Sequence, residues 1–517
     1  MKPVMVQPAF FMLLLALLVV PDFLSEVYHL ELTLLRIPTG LISCYILSLP
    51  VLILPSILRK FYKSLVIVFA SVLFVVDIYS ALLYSHTFGT LDRDAVSAIL
   101  ATNPVEAQEF IDTYLTIDKV LIVAVLLVAV LVLFYYIRKL KFKFSNTFKN
   151  SFIAVLTISV LIIIIVFNKV MYCNICYLLT KECPDLREYR QNPDVVCDDE
   201  CVDNVVLVIG ESFSKYHSSL YGYDKQTNPL LEEMRDEKKL FVYENATSAC
   251  ITTIPSIKSI MMSYTDVMSD SIDWYRCLTL IEVMQKAGYS TYWFSNQSKT
   301  GFFDNEVGRF ADLCDEQVFI GDKHSGLARG FKDEELIPVV EECLTDTCKR
   351  RFIVVHLMGS HFDYSKRYPD EYDRYDRSDY AESHSHLSSS RRGIMAEYDN
   401  SVLYNDSVVH ELMQRFALED AVVIYFSDHG EDVYHSSDTF CGHTAGVSAA
   451  HERAVKQIPL MFYTPESFRK KHPEKQLQIE KAVKTPYRTD SIMYTVMDIA
   501  GVKTVNGVSY KHKSLFK

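Results

Sequence analysis

The long apolar runs of this chain are confined to its first 170 or so residues, which restricts its fold more than any other feature. A helix that crosses a bilayer needs about 20 largely apolar residues. Five segments reach or nearly reach that length: residues 10–27, 40–58, 64–84, 119–137 and 152–170. We therefore predict a five-span α-helical membrane domain over residues 1–170. The first run is interpreted as a span and not as a cleaved signal peptide, because four more runs follow it.

The charges of the connecting loops predict the orientation of these spans. Loops 59–63 and 138–143 are basic, whereas loop 86–118 is acidic. Because short cytoplasmic loops carry the excess of Lys and Arg, the N-terminus is expected inside and everything after Val170 outside. Apolar residues at roughly helical spacing within 86–118 indicate amphipathic helices, which either lie on the outer membrane face or pack against neighbouring spans.

Cysteine usage and net charge bear on the compartment and on the partners. Of twelve cysteines, only Cys44 lies in an apolar run, and the others follow the last run. This distribution suits an oxidising compartment, with Cys197/Cys201 and Cys343/Cys348 as plausible local disulfides. The net charge of −12 argues against a nucleic-acid partner held by a broad basic surface.

Residues 171–203 are predicted to be a disulfide-rich linker, because they are polar, contain prolines and show no periodicity. Within the linker, Cys173 and Cys176 could be a redox pair or half of a zinc site. No second Cys-x-x-Cys is present to complete a structural zinc site.

Residues 204–517 are predicted to be an α/β domain with a mainly parallel sheet. Short apolar runs typical of buried strands lie at 204–209, 290–294, 352–356, 421–426 and 459–463. Helical patterns lie at 229–237, 254–262, 278–287, 333–343, 394–416 and 488–500. Strands that alternate with helices indicate a parallel sheet covered on both faces.

Polar residues follow four of these strands directly or within a few positions. Glu211 follows the first, Asn296 the second, His361 the third, and Asp428 with His429 the fourth. Singly, each could be a capping acid or an ordinary loop residue. Four such clusters at the carboxyl edge of one parallel sheet predict a ligand site. An Asp beside a neutral imidazole is half of a zinc site, since zinc binds oxygen and nitrogen ligands.

A candidate nucleophile precedes the helix predicted at 254–262. Thr252 and Thr253 stand directly before this helix, and Pro255 falls in its first turn. A threonine at the helix N-cap lies near unpaired backbone N–H groups, which bind phosphate well. Zinc can lower the pKa of such a hydroxyl. Alternatively, both threonines only cap the helix.

Together these stretches resemble a known family. The motifs NVVLVIGES, SLYGYDKQTNP, HLMGSH and SDHGED, with a threonine-initiated helix, are similar to those of the phosphoethanolamine transferases of bacterial inner membranes. The resemblance covers essentially the whole chain. It implies five spans, a linker, and a periplasmic catalytic domain of the alkaline phosphatase/sulfatase fold at residues 204–517.

The resemblance also implies a set of site residues. In the family, a Glu after the first strand, a nucleophilic Thr and an Asp-His pair bind one zinc ion. These positions match Glu211, Thr253, Asp428 and His429. We place Thr253 at the helix cap, because Thr252 would be one residue out of phase with the family pattern.

Four further residues are expected around this centre. The family's two additional histidines, near the substrate or a second zinc, match His361 and His443. Asn296 and Lys299 are weaker candidates for contacts with the donor phosphate.

The implied reaction is a transfer of phosphoethanolamine. Phosphatidylethanolamine is the expected donor, a phospho-threonine the intermediate, and an envelope glycolipid or glycan such as lipid A the acceptor. The alternatives are a phosphoglycerol transferase or phosphodiesterase of the same fold, or an inactive membrane sensor. A sulfatase activity is disfavoured, because Cys250 lacks the Cys-x-Pro-x-Arg context of its nucleophile.

Overall fold

The computed structural model describes part of the chain, in two compact units. The described residues are 13–14, 17, 44, 47, 54–83, 117–137, 194–198, 200–262, 278–299, 306–321, 332–438, 442–443, 448–505 and 514–516. One unit contains those up to Ile137, and the other those from Asp194 onward. The predicted loop 86–118 lies almost entirely outside the described residues, as do the predicted spans 10–27 and 152–170. The same holds for the linker before Asp194.

Two long helices dominate the described part of the first unit. They are α1 (Ser56–Leu83) and α2 (Ile117–Ile137), which overlap the predicted spans 64–84 and 119–137. Their small core contains Leu13, Leu14, Leu17, Cys44, Val66, Ala70 and Phe74. Within the described ranges, we find no helix long and apolar enough to cross a membrane. The number of spans stays a prediction.

The second unit contains eleven strands and ten α-helices among its described residues, besides short 3-10 turns. The strands β1 to β11 are, in chain order, Asp194–Cys197, Asn204–Gly210, Leu240–Val242, Ala246–Thr247, Ser290–Ser295, Glu316–Phe319, Arg351–His356, Ala421–Ser427, Leu460–Tyr463, Tyr487–Arg488 and Val502–Val505. The helices α3 to α12 are Pro229–Asp236, Thr253–Met261, Leu280–Lys286, Glu306–Ala311, Ile337–Leu344, Ser389–Gln414, Ala449–Lys456, Glu466–Lys471, Pro473–Lys481 and Ile492–Ala500.

The central sheet has seven strands in the order β3-β9-β8-β2-β7-β5-β6. The pairs from β8 through β2, β7 and β5 to β6 are all parallel, whereas β9 is antiparallel to both of its neighbours. The predicted α/β class with a mainly parallel sheet is confirmed. The antiparallel β9 makes it a mixed sheet, which the sequence did not indicate.

Alternate residues of the central strands enter two separate cores, which explains their uninterrupted apolar runs. In β2, Val205, Leu207 and Ile209 pack into a core with helices α4, α5 and α12. Val206 and Val208 pack into a second core with helices α3, α7 and α8. Because both faces are covered, the interior side chains of β2 are apolar, and its one polar residue, Asn204, is the first of the strand.

One of the two predicted local disulfides is present, and the other is not. Cys197, the last residue of β1, is disulfide-bonded to Cys201, and β1 pairs antiparallel with β11. Cys343 and Cys348 are free thiols, so this predicted pair is wrong. Cys343 is buried on α7, and the Cys348 sulfur instead accepts a hydrogen bond of 3.1 Å from the Ser290 hydroxyl.

Candidate metal centre and active site

The site lies where the parallel strands β2 and β8 end together. Their last residues, Gly210 and Ser427, are partners in the ladder. Glu211 and Asp428 follow at once, so parallel pairing brings the two carboxylates side by side. Both side chains are buried, with relative exposures of 1% and 0%. The neighbouring parallel strands β7 and β5 end at the same edge, as the sequence predicted.

Two groups from distant parts of the chain, and the neighbouring Ser212, meet at the Glu211 carboxylate. The Thr253 hydroxyl donates to its Oε2 atom at 3.0 Å, and His429 Nε2 lies 3.2 Å from its Oε1 atom. The Ser212 hydroxyl donates to Oε1 at 2.9 Å. Thr253 Oγ1 is also 3.5 Å from His429 Nε2, so hydroxyl, imidazole and carboxylate form one cluster.

The backbone fixes the orientation of the His429 ring. Its Nδ1 atom lies 2.9 Å from the carbonyl oxygen of Gly430, and a carbonyl can only accept a hydrogen bond. Nδ1 must therefore carry the proton. In the neutral ring Nε2 then has a free lone pair, which points towards Glu211, Thr253 and Asp428 and is suited to bind a metal ion.

One oxygen of the Asp428 carboxylate has hydrogen-bond partners, and the other, which we call the orphaned oxygen, has none. Its Oδ1 atom accepts from the backbone N–H groups of His429 at 2.7 Å and Ser212 at 3.3 Å. Its Oδ2 atom is buried without a hydrogen-bond partner and lies 3.4 Å from His429 Nε2. A buried carboxylate oxygen without a partner is costly, which indicates that another group normally satisfies it.

The pKa values reflect two carboxylates that share a buried space. Burial, and then the charge of Glu211, raise the pKa of Asp428 well above its ordinary value. Burial would lower the pKa of His429, yet Asp428 and Glu211 together raise it to about 10. Burial would likewise raise the pKa of Glu211, but His429 outweighs it and holds that pKa well below its ordinary value. The pocket therefore favours positive charge.

These residues fit a metal ion. Glu211, Asp428 and His429 each present a ligand atom, and the three atoms lie within 4.8 Å of one another. With the Thr253 hydroxyl they form a set of three oxygen donors and one nitrogen donor. Such a set suits four-coordinate zinc. The orphaned oxygen of Asp428, Oδ2, lies 3.4 Å from His429 Nε2 and is available as one of these donors, which supports the assignment.

The helix start differs by one residue from the prediction. Helix α4 begins at Thr253, and Thr252 is its N-cap, with an extended backbone at φ −140° and ψ 153°. Placing Thr253 at the cap was therefore wrong. The cap must be non-helical so that its carbonyl can accept the first helical bond, here from Ser256 at 3.2 Å. The Thr253 hydroxyl, from the first helical position, nevertheless reaches Glu211 and His429.

The two further histidines lie beside this centre. The rings of His443 and His429 have centroids 4.4 Å apart, and His443 Nδ1 is 2.7 Å from Glu431 Oε2. His429, Glu431 and His443 form a second cluster of potential metal ligands within 4.8 Å. His361 is half-buried and contributes to the low pKa of Glu211.

The two weaker candidates contact other residues. The Asn296 amide donates to Asp333 at 2.8 Å, and Lys299 forms an ion pair of 2.6 Å with Asp312. Their contact with a substrate stays a prediction.

Gln297, which is adjacent to Asn296, donates to Glu211 Oε2 at 3.1 Å. Gln297 was not predicted from the sequence as a site residue. Its position just after β5, at the carboxyl edge of the sheet, is the signal that could have indicated it.

Comparison with known proteins decides the family. A model described as Sulfatase matches residues 203–502, which comprise the whole central sheet and the candidate site. The chain belongs to the sulfatase family. Within this family it is similar to phosphoethanolamine transferase EptC of Escherichia coli (strain K12), with 30% identity over 305 residues. That match covers 58% of this chain and 51% of the relative, so the chain spans about half of the relative's length.

Solved structures agree with this assignment. The zinc complex of the C-terminal periplasmic domain of EcEptC from Escherichia coli has a TM-score of 0.52 at 26% identity, over 63% of this chain and 89% of that one. The integral membrane protein lipooligosaccharide phosphoethanolamine transferase A (EptA) from Neisseria meningitidis has a TM-score of 0.63, over 98% and 96% of the two chains. Its identity of 18% supports a common fold alone. The predicted resemblance to the phosphoethanolamine transferases is confirmed.

Proposed function

We propose that this sulfatase-family chain transfers phosphoethanolamine from phosphatidylethanolamine to an envelope glycolipid or glycan, such as lipid A. The observation that carries the proposal is the position of the Thr253 hydroxyl. It lies at the start of a helix, 3.0 Å from Glu211 and 3.5 Å from His429. A hydroxyl at a helix start, beside a centre suited to a cation, is placed to attack phosphorus. The similarity to EptC supports the choice of the transferred group.

The metal in this proposal is zinc, held by Glu211, Asp428, His429 and Thr253. When bound, zinc lowers the pKa of a hydroxyl ligand and stabilises negative charge that develops on oxygen. The donor set and the orphaned Asp428 oxygen support zinc, as does the zinc complex of the similar EcEptC domain.

The first half of the reaction forms a bond between Thr253 Oγ1 and the donor phosphorus. The hydroxyl proton is released to solvent, because the lowered pKa of Glu211 keeps this carboxylate ionised while it accepts the hydrogen bond and orients the hydroxyl. The bond from phosphorus to the diacylglycerol oxygen breaks, and that oxygen takes a proton from His361 or His443. Diacylglycerol leaves, and phosphoethanolamine remains on Thr253 as a phosphothreonine ester.

The second half reverses the proton movements. A hydroxyl or phosphate oxygen of the acceptor attacks the phosphorus, and His361 or His443 takes any proton that it carries. The bond between phosphorus and Thr253 Oγ1 breaks, and Oγ1 recovers a proton from solvent. His443 is well placed for either step, because Glu431 holds its Nδ1 atom at 2.7 Å and leaves Nε2 for the substrate.

The setting that we propose is the bacterial inner membrane, with residues 1–170 as a multi-pass membrane domain and residues 204–517 in the periplasm. The apolar runs, the basic loops and the cysteine distribution of the sequence support it. A membrane domain suits the reaction, because the lipid donor must be reached at the bilayer surface.

The two adjacent threonines provide a matched test of the nucleophile. Thr252 is the extended N-cap and Thr253 the first helical residue, and it is the Thr253 hydroxyl that lies 3.0 Å from Glu211. Thr253→Ala is expected to abolish both transfer and the covalent intermediate, whereas Thr252→Ala should retain measurable activity. The measurement is incubation of the purified full chain with phosphatidylethanolamine, followed by peptide mass spectrometry.

The added mass is expected on Thr253. Finding it on Thr252 would reassign the nucleophile, and finding it on neither residue while transfer continues would remove the covalent mechanism. A parallel incubation with phosphatidylglycerol tests the donor. A phosphoglycerol adduct in place of phosphoethanolamine would show that the headgroup is wrongly assigned.

A further inference from the structure

The turn that follows Glu211 has an unusual backbone. Ser212 adopts a left-handed conformation with φ 56°, which residues with a Cβ atom rarely occupy. Such a conformation persists only where surrounding contacts hold it. The contacts of this turn therefore decide whether Glu211 and its neighbours keep their positions.

Ser212 connects directly to both candidate metal-binding carboxylates. Its hydroxyl donates to Glu211 Oε1 at 2.9 Å, and its backbone N–H donates to Asp428 Oδ1 at 3.3 Å. Both Ser212 contacts depend on the same backbone conformation. If the turn relaxed, each of the two carboxylates would lose its hydrogen bond from Ser212.

A single tyrosine hydroxyl closes this turn from the other side. Tyr398, on α8, donates to the carbonyl oxygen of Ser212 at 2.6 Å and accepts from the N–H of Ser214 at 2.9 Å. One oxygen atom thus bridges the two ends of a three-residue turn. Burial raises the pKa of Tyr398 well above its ordinary value, so the hydroxyl remains a donor.

The Tyr398 ring is itself held tightly. It is fully buried, and the rings of His217 and Tyr364 pack edge-on against it, each with a centroid distance of 4.9 Å. The ring contacts do not involve the hydroxyl. Phenylalanine can therefore keep the packing and remove only the two hydrogen bonds.

We propose that Tyr398 is a positioning residue for the metal centre, because its hydroxyl clamps the turn at Ser212 and thereby orients Glu211 and Asp428. This inference rests on the proposed metal site. Partners that orient metal ligands commonly contribute about 10- to 100-fold to metal affinity. Because Tyr398 acts through Ser212, we expect an effect of roughly tenfold.

The test measures zinc affinity of the whole chain in detergent by competition with a chelator. Tyr398→Phe is expected to weaken zinc binding roughly tenfold, with an unchanged circular dichroism spectrum. The matched control is Tyr289→Phe, whose buried hydroxyl donates to the carbonyl of Val202 at 2.7 Å, before the start of β2. This control removes an equivalent bond away from the site and should bind zinc as the wild type does.

A second variant separates positioning from a general loss of stability. Ser212→Ala also removes a hydrogen bond to Glu211. If both residues act through the same turn, the losses of zinc affinity caused by Ser212→Ala and Tyr398→Phe should be less than additive in the double variant. Equal zinc affinity of Tyr398→Phe and wild type would overturn the inference, as would full additivity. If the wild type bound no zinc, the proposed metal site would fail, and the inference with it.

Discussion

At the residue scale, the centre is defined by an imbalance of charge. Glu211 and Asp428 are both buried, and His429 Nε2 lies 3.2 Å from the first carboxylate and 3.4 Å from the second. Burial, and then the charge of Glu211, raise the pKa of the Asp428 carboxyl, and its Oδ2 atom has no hydrogen-bond partner. We therefore expect binding of a divalent cation to stabilise the unit that contains this centre.

The two aspartates at the ends of β8 allow a sharp test of the metal ligands. Asp428 follows the strand at the site, whereas Asp420 precedes it at the opposite end and pairs with Lys471 at 2.6 Å. Asp428→Ala should lose most bound zinc, because too few protein ligands remain. Asp420→Ala should keep full zinc content by elemental analysis. Full occupancy in the Asp428 variant would refute the assigned site.

At the scale of elements, helix α8 organises the loops around the site. Along this helix the polar side chains of Asp399, Asn400 and Asp406 are buried, which is uncommon for such residues. Asp399 and Asn400 each hold another segment of the chain. Asp399 pairs with His217 at 2.6 Å, and Asn400 accepts a hydrogen bond from the backbone N–H of Tyr375 at 2.8 Å. The helix is thus a scaffold that fixes loops through specific polar contacts.

Asp406 gives this scaffold a predictable pH dependence. It caps α3 by accepting from the N–H groups of Leu230 at 2.9 Å and Leu231 at 3.1 Å, and burial raises its pKa to about 7. An unfolded Asp titrates near pH 3.9, so the folded state binds the extra proton between about pH 4 and 7. The stability that Asp406 contributes should therefore fall as pH rises through this window.

Asp406→Asn should remove this dependence. Between about pH 4.5 and 7.5, the wild type should lose about 2–4 kcal/mol more unfolding free energy than the variant. Denaturant titration can be followed by fluorescence of Trp274 and Trp293, the only two tryptophans of the chain. Asp224→Asn changes an exposed carboxyl and should keep the wild-type dependence. Parallel pH curves for wild type and Asp406→Asn would show that the cap does not titrate here.

At the scale of the whole molecule, the sequence separates the apolar runs of residues 1–170 from the α/β region of residues 204–517. The first half carries the apolar runs, and the second carries all of the candidate site residues. If residues 1–170 form the predicted membrane domain, residues 204–517 lie on one side of the bilayer, and the loop charges predict which side.

The topology has a direct measurement. A reporter fused after Lys143 should behave as cytoplasmic, because the basic loop 138–143 anchors that side, and one fused after Cys201 should behave as external. Fusions with reporters active on opposite sides of the membrane provide the reciprocal control. External behaviour after Lys143 would overturn both the span count and the compartment.

The strands and the approximate place of the site were accessible from the sequence, because both depend on local patterns. Uninterrupted apolar runs mark strands that are buried on two faces, and polar residues directly after them mark one edge of a parallel sheet. Glu211, Asp428 and His429 were found in this way. Short motifs such as HLMGSH and SDHGED, which need no tertiary contact to be recognised, also indicated the family.

The tertiary structure alone decided which neighbouring side chain faces the centre. Asn296 and Gln297 are adjacent, yet the first is directed at Asp333 and the second at Glu211. Local sequence does not set this choice, because it depends on how β5 is placed against residues distant along the chain. The same holds for the Tyr398 hydroxyl, whose partner Ser212 is 186 residues away in sequence. Periodicity determines what is buried, whereas the fold determines which buried groups meet.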